Sequence, residues 1–89
     1  MTDKRQEVYE IINEEREYQD KVWGGPAHDI GHSLSDWVVY IRKYVNQAEN
    51  ALYTGDEKAI LCAIRKITAL GVAVMEINKT PKRSEENGN

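Results

Sequence analysis

Phenylalanine is missing from this sequence altogether, and cysteine occurs once, at Cys62. A single thiol closes no disulfide within the chain, so a reducing compartment is expected, with Cys62 read as a small buried hydrophobe. Without Phe, every large aromatic side chain is a Tyr or Trp and carries a polar handle beside its ring. Charge of one sign is lacking too. Twelve basic against 15 acidic residues give a net charge of -3, which argues against a dedicated nucleic-acid binder. The longest apolar-looking run, Ile67 to Ile77, is about half of what a membrane span requires. The stretch from Met1 to Glu7 lacks the apolar core of a signal peptide. No G-x-x-x-x-G-K-S/T loop offers a phosphate cradle, and no segment repeats. These absences make a soluble cytoplasmic protein without a membrane partner the expectation.

What is present is mostly amphipathic helix. Eighty-nine residues make one small domain, for which oligomerisation is a reasonable expectation because so short a chain hides little of its surface. Thr2 or Asp3 suits the N-cap of a first helix over about 3–22, with Val8, Ile11, Ile12, Tyr18 and Val22 on one stripe. Glu15 falls on that stripe, where an unpaired carboxylate is expensive to bury. It is expected to reach water or a basic partner, or else to face the following loop as a site carboxylate. Gly24-Gly25-Pro26 ends this helix, and residues 23–33 form a loop holding both histidines. Ser33 and Asp36 have capping-box spacing for a second helix over about 34–53. Its stripe runs through Leu34, Trp37, Val38, Ile41, Tyr44, Val45, Ala48, Ala51 and Leu52.

Gly55 and Asp56 form a tight helix–helix turn, so the second and third helices (the latter about 57–78) are expected to fold back as an antiparallel hairpin. The fold class is therefore all-α: an N-terminal helix plus a long helical hairpin. Residues 67–77 are apolar on nearly all sides, and a helix apolar all round must be covered all round. A second subunit packing on the third helix, in a dimer or tetramer, is the expectation. Gly71, costly inside a helix, would be justified by close helix approach there. The tail 79–89 has no apolar anchor and reads as disordered.

Two groups of residues suggest chemistry. His28 and His32, with Asp29 and Asp36 nearby, make a permissive cluster for a metal, to which Glu15 is a further candidate; loop histidines bonded to backbone groups are the plainer reading. Aromatic and cationic side chains are also interleaved, as suits a base stacked on a ring with a phosphate beside a cation. Tyr40 and Tyr53, off the main stripe of the second helix, are the better candidates for contact with a ligand or a second subunit.

Glu15-Arg-Glu-Tyr-Gln-Asp-Lys-Val-Trp-Gly24, followed by His28, His32 and Trp37, resembles the opening of small MazG-like proteins of phages and bacteria. Ala69 to Ile77 resembles the Ala/Val-rich final helix of that group, and the likeness runs over residues 14–78. It implies an all-α nucleotide pyrophosphohydrolase fold in which acidic residues of the hairpin hold Mg²⁺ against a nucleoside triphosphate. The group's Glu-Glu-x-x-Glu motif falls on Lys43, Tyr44 and Gln47, and a further acidic pair on the neighbourhood of Ala63 and Arg65-Lys66. The acids are thus replaced, in part by cations. The resemblance then implies a phage-type, catalytically degenerate protein without a cofactor, acting in the host cytoplasm. It would bind, and sequester, a nucleotide or nucleotide-derived immune signal such as a cyclic nucleotide. The pocket expected is Trp23, His28, Tyr40, Lys43, Tyr44, Gln47 and Arg65. Two other readings stand beside it: a pyrophosphohydrolase using Mg²⁺ at a non-standard site of Glu15, His28, His32 and Asp36, and a helical adaptor for a host or phage protein.

Overall fold

The computed structural model describes residues 3–25 and 29–86. They form three long helices, α1 (Asp3–Trp23), α2 (Leu34–Thr54) and α3 (Glu57–Ile77), and one 3-10 turn at Arg83–Glu85, with no strand among the described residues. Asp3 is the first helical residue of α1; Thr2 lies outside the described residues. No helix is long and apolar enough to cross a membrane, among the residues described.

Each helix end has a local cause. Gly24 and Gly25 adopt φ of 101° and 71°, which side-chain-bearing residues avoid, and α1 stops there. The chain re-enters helix at Ser33, whose hydroxyl accepts from the Asp36 N–H at 3.2 Å while Asp36 accepts from the Ser33 N–H at 3.0 Å. This reciprocal cap satisfies two otherwise orphaned donors. At the other end Gly55 takes φ 73°, and its N–H and that of Asp56 reach back to Leu52 and Ala51 carbonyls. Asp56 then caps α3 by accepting from the Ala59 N–H at 3.0 Å. One turn thus closes α2 and opens α3, and the two helices pack along each other as a hairpin. The 3-10 turn, within the stretch read as a disordered tail, is held by bonds among Lys82, Arg83, Glu85 and Glu86 and stays exposed.

The core is centred on Trp37, Leu70 and Ala73, with Trp23, Ile41, Tyr44, Val74 and Ile77 against it. On α2 the inward line is 37, 41, 44, 48 and 51, the middle of the expected stripe. Helix α3 lies between α1 and α2 and packs on both. Within 67–77 the chain itself buries Ala69, Leu70 and Ala73 and half-buries Ile67, Val72, Val74 and Ile77, while Met75 is exposed. Gly71 is not wedged against anything within the chain, since a Cβ added there meets nothing within 4 Å.

One correction concerns α1. Val8, Ile11, Tyr18 and Val22, expected to face the core, are all about half exposed or more. Of that stripe α1 buries Ile12 and Glu15, and beside them Arg16 and Gln19, so the buried face is mainly polar. Arg16 is 6 % and Gln19 2 % exposed. Polar groups at such depth persist only when partnered, and their partners define how α1 docks.

Candidate functional site

Two polar ties join α1 to α3. In the first, Arg16 donates to Gln19 at 3.1 Å, Asp20 at 3.0 Å and Glu76 at 2.8 Å. Buried Asp29, just after the glycine turn, lies 3.5 Å from the same guanidinium. Burial by itself lowers the Arg16 pKa, but the bonds and charges of Glu76 and Asp20 outweigh it, so the guanidinium is held above its ordinary value. In the second tie Arg65 donates to Glu15 at 2.8 Å. That bond, working against partial burial, raises the Arg65 pKa. Glu15 is therefore the carboxylate that finds a basic partner.

These ties engage the carboxylates nearest the expected metal cluster. Glu15 answers to Arg65, and Asp20, Asp29 and Glu76 answer to Arg16. His32 Nδ1 lies 3.4 Å from Asp36, beside the α2 cap. No three His, Cys, Asp or Glu side chains gather in a form able to hold a metal ion, among the described residues. The donor set does not fit Mg²⁺, which needs carboxylates free to turn toward it. His28, the remaining member of the expected cluster, lies outside the described residues.

The arrangement with the chemistry of a binding site is aromatic. Trp37, Tyr40 and Tyr44 follow one another at three- and four-residue spacing and so share a face of α2. Trp23, the last residue of α1, meets them where that helix ends. Together with Lys43 they line a cavity of about 270 Å³, just below the usual range of about 300–1,000 Å³ for small-molecule sites. Trp37 and Tyr40 stand edge to face at 6.2 Å, and His32 stands edge to face with both, at 5.7 and 5.3 Å. Such T-shaped contacts hold the rings in place. Two ammonium groups flank the Tyr44 ring, Lys43 Nζ at 5.7 Å and Lys66 Nζ at 5.6 Å from its centroid. The Trp37 indole N–H is buried and makes no hydrogen bond among the described residues.

Of the seven expected pocket residues, Trp23, Tyr40, Lys43 and Tyr44 come together. Gln47 is exposed and does not line the cavity, and His28 is outside the described residues. Arg65 requires correction: the expected cationic pocket shared with Lys43 does not form. Arg65 turns toward α1, held by Glu15, and lines a different groove with Val8, Ile11 and Leu61. Sequence reasoning missed Trp37 as a pocket wall, having placed it in the core, where its other side does lie. It also missed Lys66, which stands beside Tyr44 where Arg65 was expected. The neighbouring cation was visible in the sequence, but α3's rotation was not.

No family model, no curated protein and no solved structure matches the chain.

Proposed function

We propose that the chain binds a planar, anionic small molecule of the nucleotide class in the Trp23–Trp37–Tyr40–Lys43–Tyr44 cavity and holds it without hydrolysing it. The observation that carries this reading is four aromatic rings around one small cavity, with an ammonium at its edge and a second beside Tyr44. A base stacks on a ring face whatever its identity, and the cations suit a phosphate. The unpartnered Trp37 N–H adds a donor whose desolvation a ligand acceptor would relieve. The carboxylates of the two arginine ties are committed to guanidinium groups, which favours binding over Mg²⁺-assisted hydrolysis. In this reading the protein is a degenerate MazG-like, phage-type protein that sequesters a nucleotide-derived signal, cyclic nucleotides included, in the host cytoplasm, and self-associates through α3.

A thermal-shift panel of mono-, di-, tri- and cyclic nucleotides tests it. The expected result is stabilisation by at least one of them, with intact ligand released on heat denaturation. Lys43→Ala removes one charge-assisted contact and should weaken binding roughly tenfold. A panel with no shift at all refutes the reading and leaves an adaptor. Conversion of a nucleotide to products in the presence of Mg²⁺ would make the chain an enzyme with a non-standard site.

A further inference from the structure

Away from the aromatic cavity, α1 and α3 leave a wide groove of about 790 Å³ open between them. Val8 and Ile11 line it from α1 and Leu61 and Ile64 from α3, with Ile12 and Cys62 beside them. Val8 is 51 % and Leu61 64 % exposed, so this is apolar surface facing solvent. The exposed positions are not scattered. On α3 the line 61, 64, 68, 71 and 75 is exposed apart from half-buried Gly71, and on α1 the line 8, 11, 15, 18 and 22 is exposed apart from Glu15, which Arg65 holds. Both series alternate steps of three and four residues, the heptad spacing by which one helix receives another knobs-into-holes. Of these ten positions only Glu15 is buried within the chain.

We propose that this groove is a self-association surface, filled by α1 of a second copy of the same chain. This names the surface for the self-association in the reading above and is independent of the ligand. Three observations select a second copy over an unrelated helix. First, α1 carries Val8, Ile11, Tyr18 and Val22 at the spacing that the groove walls call for, all about half exposed or more in the single chain. Second, the charges match. Exposed Glu7 and Glu14 flank the α1 stripe one heptad apart, and exposed Lys58 lines the groove from α3, beside Glu57 and one heptad from the Arg65 that Glu15 holds. Third, Gly71 sits on the α3 stripe with open space where a Cβ would stand, which lets an incoming helix approach closely. A two-fold axis makes both contacts at once, each copy's α1 entering the other's groove.

Sedimentation equilibrium of the full chain tests this. The expected mass is twice the 10.2 kDa of one chain. Leu61→Glu and Val8→Glu, on opposite walls, should each return the protein to the monomer with its helical circular dichroism intact, since both side chains are exposed in the single chain. Tyr53→Glu, at the far end of α2 and 88 % exposed, should leave the dimer in place. Lys58→Glu should weaken the dimer, and Glu7→Lys with Glu14→Lys in the same chain should restore part of the loss. A mass of one chain at every concentration overturns self-association itself. A dimer that survives both Leu61→Glu and Val8→Glu overturns this surface and places the contact elsewhere. Should one variant fail to fold, the other gives the answer.

Discussion

Arg16 does more structural work than any other polar residue described here. Its guanidinium fork meets Gln19, Asp20, Glu76 and Asp29 at once. An ammonium cannot reproduce that planar set of donors. Arg16→Met removes the cation on which three carboxylates converge and should lower stability by about 3 kcal/mol, read from urea denaturation. Arg16→Lys should recover only part of the loss. Arg65→Ala leaves Glu15 buried without its cation. Because Arg65 itself reaches solvent, the cost should be smaller, about 2 kcal/mol. Lys43 is the contrast. It is exposed and flanks only a ring, so Lys43→Ala should change stability by less than about 0.5 kcal/mol. Its effect belongs in ligand affinity. Measuring both quantities for all three variants separates docking residues from binding residues.

At the scale of the element, helix ends were legible in the sequence and helix faces only in part. The caps at Ser33–Asp36 and Gly55–Asp56 are local chemistry, complete within four residues, and the chain uses both. Ser33→Ala should cost about 1 kcal/mol. The Asp36 carboxyl is held below its ordinary pKa, first by the Ser33 backbone N–H and also by His32. A depressed carboxyl pKa contributes stability above the unfolded value, and that contribution is lost as pH falls through the folded one. The urea midpoint should therefore drop between about pH 5 and pH 2 more steeply in the native chain than in Asp36→Asn. Faces are another matter. On α2 periodicity pointed to the side that packs, because Trp37 and its neighbours meet another apolar helix. On α1 it found only the edge of the packed side: Ile12 and Glu15 are buried, and Val8, Ile11, Tyr18 and Val22 are exposed. Burial there is decided by Glu76 and Arg65, about 50 to 60 residues away in sequence, and no local period encodes a partner that distant. The aromatic cavity was half legible for the same reason: three rings share one α2 face, but which cation joins them depends on the rotation of α3.

For the molecule as a whole, α3 is the axis on which everything else rests, and Leu70 is its most enclosed large aliphatic side chain, at 0 % exposure. Leu70→Ala should cost about 2–5 kcal/mol and broaden the unfolding transition of the hairpin. The two neighbours of α3 are held to it by different physics, however. Helix α2 adheres through Trp37, Ile41 and Tyr44, and α1 largely through Arg16 and the Glu15–Arg65 pair. Added salt screens partly exposed ion pairs while leaving apolar contacts intact or strengthened. Raising ionic strength should thus quicken hydrogen exchange of the α1 amides while those of α2 and α3 hold their protection. Since α1 ends in Trp23, one wall of the aromatic cavity, a loosening of α1 by salt would widen that cavity's mouth as well.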